Sequence, residues 1–269
     1  MQRQFVKVEK GLGPQGRIAV VRFDRGDNIN AMSQQAMREL REVPRDFEDD
    51  LETSVVILTG SAKAFSAGFD LKDPDGRARD GLPLGERRHR ARLGPKMCKA
   101  WQDMDQVTIA AVEGHCIGGG AALVVSLDFR TCGKSAHFRI PEVELGMNMS
   151  WGSIPRMLAL MGPARTKQAV ILASDRIGSA EALDWGLVEK VVDDGQALAA
   201  SMAFAERIAR QPPIPVRMTK STVNRLAHAL DDLGAHMDVD QNVLTGLTED
   251  YKEGTSAFRE KRKPVFKGR

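Results

Sequence analysis

Cysteine is scarce in this chain of 269 residues, with only Cys98, Cys116 and Cys132 present. So few, in an odd number, exclude a disulfide scaffold and fit a reducing compartment. Aromatic residues make up 5%, which argues against the stacking platforms that hold single-stranded nucleic acid. No apolar run approaches the roughly 20 residues that span a bilayer; runs such as residues 121–125 are far shorter. The N-terminal MQRQFVKVEKG lacks the apolar centre of a secretion signal. Excess charge is missing too: 39 Lys and Arg against 36 Asp and Glu leave a formal +3, too even for a dedicated nucleic-acid binder. Internal repeats and low-complexity linkers are absent. The expectation is a cytoplasmic protein with neither nucleic-acid nor membrane partners.

Hydrophobic residues form 42% of the chain and charged residues 28%, enough for a substantial core without staples. The first half alternates two kinds of segment. Residues 17–23, 54–59 and 108–112 are β-branched or continuous apolar runs and read as strands; 129–132, 137–140 and 188–192 are shorter candidates. Ser33 is placed to cap a helix over 34–47, and a second helix is expected over 85–104. From residue 152 onward helical patterns dominate: 154–161, 164–173, 180–185, 197–210 and 216–225. A βαβ-type core with a helical C-terminal extension follows.

Two glycine-bearing turns carry the chemical signal. One is Ala64-Phe65-Ser66-Ala67-Gly68-Phe69-Asp70-Leu71-Lys72; the other is Gly114-His115-Cys116-Ile117-Gly118-Gly119-Gly120. Each follows an expected strand. Glycines that open a helix free backbone N–H groups to face an anion, and two such groups from separate turns can form an oxyanion hole. The same glycines also serve tight turns and close packing. The spacing is not G-x-G-x-x-G, and no Gly-Lys-Ser/Thr follows, so dinucleotide and P-loop sites are set aside.

The order of the pieces is more specific than any one of them. AFSAGFDLK at 64–72, GGG at 118–120, PEVELG at 141–146, EALDWGLVEKVV at 181–192 and AFREKRKPVF at 257–266 together resemble the enoyl-CoA hydratase/isomerase (crotonase) superfamily, over nearly the whole chain. The resemblance implies an α/β, ClpP-like fold of repeated ββα units. It implies a core over 1–200 and a C-terminal helical region over 201–269 that builds trimers or paired trimers and covers the active site. It also implies a coenzyme A thioester as substrate, with no cofactor beyond the coenzyme that the substrate carries and no metal. In the family, backbone N–H groups at the positions of Phe69 and Gly119 hold the thioester oxygen. Ala67 and Leu71 fall where backbone groups meet the adenine, and Lys72 where a cation can meet the coenzyme phosphates. Gly68, Asp70 and Gly118 belong to the same binding turns, and Trp151 and Met149 are candidates for the acyl pocket.

One departure bears on the reaction. Hydratases of the family carry two glutamates; here the first position is Ala122 and the second is Glu142. Two carboxylates jointly hold and activate a water. A single Glu suits removal of a proton from C2 of a 3-enoyl-CoA and its return at C4. The 3,2-enoyl-CoA isomerases of the family likewise keep only the second Glu, so isomerisation is favoured over hydration. An acyl-CoA hydrolase and a silent or RNA-binding family member remain as alternatives. Ser150 stands where some relatives use an Asp base and reads as a hydroxyl capping the following helix. Glu144 reads as structural, sharing a side with Glu142 only in a regular strand. His115 and Cys116 are not expected to act. The basic run Arg77, Arg79, Arg87, Arg88, Arg90, Arg92 and Lys96, opposed by Asp80 and Glu86, reads as a solvated face able to attract phosphate. Lys261, Arg262, Lys263 and Lys267 raise the same possibility at the C-terminus.

Overall fold

The computed structural model describes residues 3–77, 81–173 and 175–269. In chain order the elements are β1 (Val6–Leu12), β2 (Ile18–Phe23), α1 (Gln34–Glu42), β3 (Val55–Thr59), β4 (Ala64–Ser66), α2 (Pro74–Arg77), α3 (Leu84–Ala91), α4 (Leu93–Gln102), β5 (Val107–Val112), β6 (His115–Ile117), α5 (Gly119–Val124), β7 (Phe129–Gly133) and β8 (His137–Arg139). There follow α6 (Ser153–Ile171), β9 (Ile177–Gly178), α7 (Ser179–Asp184), β10 (Lys190–Val192), α8 (Ala197–Ala209), α9 (Pro213–Ala227), α10 (Asp231–Ala235), α11 (Asp238–Thr245) and α12 (Glu249–Glu260).

The apolar runs explain the larger sheet, ordered β1-β2-β3-β5-β7-β10. β3 is buried at every position, as a strand covered on both faces must be. All neighbours in this sheet run parallel except β1 and β2. A smaller sheet, β4-β6-β8-β9, lies beside it. The successive pairs β3/β4, β5/β6 and β7/β8 each send one strand to each sheet before helices follow, which is the repeated ββα unit. α8 spans residue 200 and packs Ala197, Ala205 and Ala209 against Ile57 and Ile109 of the larger sheet.

Several boundaries differ from the sequence expectation for local reasons. The helix expected over 34–47 ends at Glu42 and continues as a 3₁₀ turn, Val43–Phe47. Pro44 has no N–H to donate back to Leu40, and the freed Leu40 carbonyl accepts the buried Trp101 indole N–H at 2.9 Å. The expected helix over 85–104 divides at Arg92 into α3 and α4. α6 leaves helical geometry at Gly162 (φ 75°, ψ 172°), just before Pro163. The short strands β4, β6 and β9, and the edge strand β1, were not anticipated.

The start of β1 hangs on one buried acid. Glu39, 4% exposed, accepts N–H bonds from Gln4 at 3.0 Å, Phe5 at 2.8 Å and Val6 at 3.1 Å, and one from the Gln35 amide. Burial raises its pKa, but these bonds outweigh burial and hold it below the ordinary 4.5. Its stabilisation is therefore present above that value and is lost as pH falls through the lowered one. Glu39→Ala is expected to cost about 2 kcal/mol in urea unfolding at pH 7. The gap to the wild type should shrink below pH 4; a gap independent of pH would contradict this role.

Candidate active site

Asn30 anchors the first glycine turn. Fully buried, it donates to Phe23 O at 2.9 Å and Phe65 O at 2.8 Å and accepts the Arg25 N–H at 3.0 Å. Ser66 then donates to Asn30 O and accepts the Gly68 N–H at 3.1 Å. Ala67 N–H goes to Ile29 O, Met32 N–H to Gly68 O and Asp70 N–H to Met32 O. The neighbouring N–H groups are thus consumed by the turn. Among the described residues, that of Phe69 has no partner. Gly68 holds φ at +81°, and a Cβ there would fall 2.5 Å from Ile117 O and 3.0 Å from Gly119 N. Only glycine lets the two turns approach this closely.

The second turn is built the same way. Gly118 (φ +52°) donates its N–H to Arg139 O at 2.8 Å. Gly119 opens α5, where the first N–H groups of a helix have no intrahelical acceptor. Glu142 follows β8 and opens a 3₁₀ turn, Val143–Leu145. Its carboxylate lies against the second turn: a Cβ on Gly118 would be 2.7 Å from Glu142 Oε1. Glu142 Oε2 is buried and has no hydrogen-bond partner among the described residues. Burial pushes this carboxyl up to about 7, against a smaller downward pull from its own backbone and from Arg139. A carboxyl titrating there serves both as base and as acid near neutrality.

A cavity of about 90 Å³ joins these groups. Of the residues expected from sequence, Phe69, Leu71, Gly119, Glu142, Met149 and Trp151 line it. Among the described residues Glu142 is the one carboxylate on its wall; Ala122 lies fully buried in α5. Ala67, Gly68 and Gly118 shape the turns rather than the wall. Asp70 is committed to the fold, pairing with Arg25 at 2.6 Å and accepting the Lys72 N–H. Burial raises the Asp70 pKa, yet these bonds bring it below its ordinary value. The Lys72 side chain is exposed beside it. Gln34, Asn242 and Tyr251 also line the cavity. No motif pointed to them, because they come from α1, α11 and α12 and meet only in three dimensions.

One expectation needs correcting. Ser150 caps no helix with its hydroxyl: Gly152 is the N-cap of α6 and has no side-chain cap. Instead the Ser150 carbonyl accepts the Ser153 hydroxyl at 2.6 Å. Glu144 sits in a 3₁₀ turn, so strand alternation does not apply, and it pairs with Arg139. His115 Nε2 lies 3.1 Å from Ile29 O. Burial raises the Cys116 thiol far above its usual range. In the basic run, Arg88 pairs with Asp240 and Arg90 with Glu86, while Arg79 and Asp80 lie outside the described residues. At the C-terminus, Arg262 pairs with Glu253 and Glu260. Among the described residues no cluster of three His, Cys, Asp or Glu could hold a metal ion, and no helix is long and apolar enough to cross a membrane.

Two sheets of ββα units, with two open N–H groups and a carboxylate lining one cavity, define a crotonase-fold protein. The sequence model described as Enoyl-CoA hydratase/isomerase matches residues 13–269, so the chain belongs to that family of acyl-CoA enzymes. It is 33% identical over 251 residues to a crotonyl-CoA hydratase of Syntrophomonas wolfei subsp. wolfei, covering 93% of this chain and 94% of that one. It is 32% identical over 264 residues to a carnitinyl-CoA dehydratase of Escherichia coli strain K12, covering 94% and 96%. A solved carnitinyl-CoA hydratase from Mycobacterium avium superposes with a TM-score of 0.83 at 29% identity, covering all of both chains.

Gly68→Ala tests the contact between the turns. Its methyl group must displace Ile117 O or Gly119 N, and loss of one aligned oxyanion donor costs ~10²–10³ in rate. Acyl-CoA turnover by the folded variant should fall ~10²-fold or more; near-normal turnover would remove the turn contact from the site.

Proposed function

We propose that the protein moves a double bond in an enoyl-CoA from C3 to C2, with Glu142 as its single acid and base. One observation carries this reading: the only carboxylate on the cavity wall among the described residues has a buried, unpartnered oxygen and a pKa raised to about 7. Glu142 removes a proton from C2 of the 3-enoyl thioester. The charge spreads over a dienolate whose oxygen accepts the N–H groups of Phe69 and Gly119. Protonated Glu142 then returns the proton at C4, leaving the C2–C3 double bond and the ionised carboxylate ready for the next turnover. Backbone groups of Ala67 and Leu71 are proposed to meet the adenine, and Lys72 the coenzyme phosphates. The steps call on no cofactor beyond the coenzyme A of the substrate.

The names of the hydratase and dehydratase relatives favour a second reading, in which water adds to or leaves the C2–C3 bond. There Glu142 would activate water alone and then protonate C2. Rapid conversion of a 3-enoyl-CoA with little hydration of a 2-enoyl-CoA is expected; the reverse result establishes the second reading. Glu142→Gln should abolish either activity. Because the carboxyl must be ionised to act as base, kcat/KM should rise with pH to a plateau with a midpoint near 7. Its raised pKa favours the folded state at low pH, and that contribution is lost as pH rises through 7. Glu142→Gln should therefore unfold at a higher temperature than the wild type at pH 8, and a lower one would contradict the burial argument.

Assembly as a trimer or pair of trimers is proposed for the C-terminal region, residues 201–269. α9 has no buried residue; Ile214, Met218 and Leu226 are 71%, 65% and 76% exposed. Such an apolar face fits contact with a second copy. Sedimentation equilibrium should return three or six chain masses, and a monomer at micromolar concentration would contradict the assembly.

A further inference from the structure

Trp151 occupies an unusual position. Its φ is +66°, a left-handed conformation that a bulky residue keeps only where its surroundings hold it. Two buried side chains do so. Asp238 of α11, 6% exposed, accepts the N–H of Gly152 at 2.5 Å. Arg156 of α6, 4% exposed, donates to Trp151 O at 2.8 Å, and Gln102 Oε1 holds its guanidinium at 2.6 and 3.1 Å. The residue is only half-buried, so a simple core role does not account for the arrangement.

The strained backbone directs the indole into the gap between α4 and α5. A Cβ on Gly94 would lie 2.1 Å from Trp151 Cε2, and one on Gly119 2.5 Å from Trp151 Cη2. The ring therefore rests on the bare α-carbons of two glycines. One of them carries the N–H assigned above to the thioester oxygen, and its neighbour Gly118 abuts Glu142 Oε1. The ring and Glu142 line the same cavity. The cavity it bounds holds about 90 Å³. An apolar cavity of about 150 Å³ takes one benzene, so in proportion this one takes roughly four carbons.

We infer that Trp151 is the end wall of the acyl pocket and restricts the protein to short acyl groups of roughly four carbons. Asp238 and Arg156 are positioning residues that keep the wall in place. The inference rests on the acyl-CoA reading above, but its test involves no proton transfer. Dissociation constants of butyryl-CoA, hexanoyl-CoA and decanoyl-CoA are measured by calorimetry for the wild type, Trp151→Gly and Trp151→Phe. Glycine adopts φ +66° without strain, so the first variant keeps the backbone path; the second keeps part of the wall.

The wild type should bind butyryl-CoA at least ~10-fold more tightly than decanoyl-CoA, because added methylenes gain affinity only where they find an apolar site. Trp151→Gly should erase or reverse that ratio, and Trp151→Phe should fall between. Should Trp151→Gly not fold, an unchanged ratio in Trp151→Phe overturns the inference. Equal binding of butyryl- and decanoyl-CoA by the wild type overturns it directly. Failure of the proton-transfer reading registers elsewhere, as unchanged turnover by Glu142→Gln. Absence of binding to every acyl-CoA would overturn both.

Discussion

A carboxylate oxygen that lacks a hydrogen-bond partner among the described residues, in one cavity with two backbone N–H groups that also lack one, is the constraint on which this structure depends. Each of these groups is costly to bury alone. Glu142 Oε2 finds no partner among the described residues, and neither do the N–H groups of Phe69 and Gly119. Such a set persists only where the surrounding backbone is over-determined. Here Asn30, Ser66 and Arg139 supply that determination by bonding the peptide groups on either side. What the fold leaves unsatisfied is complementary to a thioester oxygen and to a proton on carbon.

Glycine makes this arrangement possible at two points for different reasons. Gly68 permits a positive φ and the approach of one turn to the other. Gly119 leaves its α-carbon bare so that the Trp151 ring can lie on it. The C-terminal helices then complete the site, since α11 supplies Asp238 to the Trp151–Gly152 turn and α12 brings Tyr251 to the cavity. α12 reaches the Glu142 segment by backbone contact: a Cβ on Gly254 would lie 2.6 Å from Leu145 C, and one on Gly146 would lie 2.6 Å from Asp250 O. The helical extension is therefore continuous with the site, whatever further copies of the chain it meets.

Much of the scaffold was legible in the sequence, and the reasons are physical. β2, β3 and β5 are read directly from continuous apolar runs because strands covered on both faces have no polar alternation. The order of the glycine turns and Pro141-Glu142 marked Phe69, Gly119 and Glu142, and those three meet at one cavity. β4 and β6 were missed because three residues are too few to show a period. The end of α1 was missed although Pro44 signalled it. Asp70 read as part of a binding turn, whereas its charge is spent on Arg25, a partner 45 residues away. Trp151 was marked for the pocket, yet nothing in the sequence revealed its left-handed backbone or the buried Asp238 that holds it. Contacts between distant elements leave no local trace.

The state of one carboxyl tests this account most directly. With glutamate side chains labelled with ¹³C at the carboxyl carbon, the Glu142 resonance is assigned by its loss in Glu142→Gln and followed by NMR against pH. The buried, unpartnered Oε2 predicts a midpoint near 7, well above the ordinary 4.5. A midpoint at or below 4.5 would mean that the carboxylate is solvated or paired, and would contradict its assignment as the proton carrier.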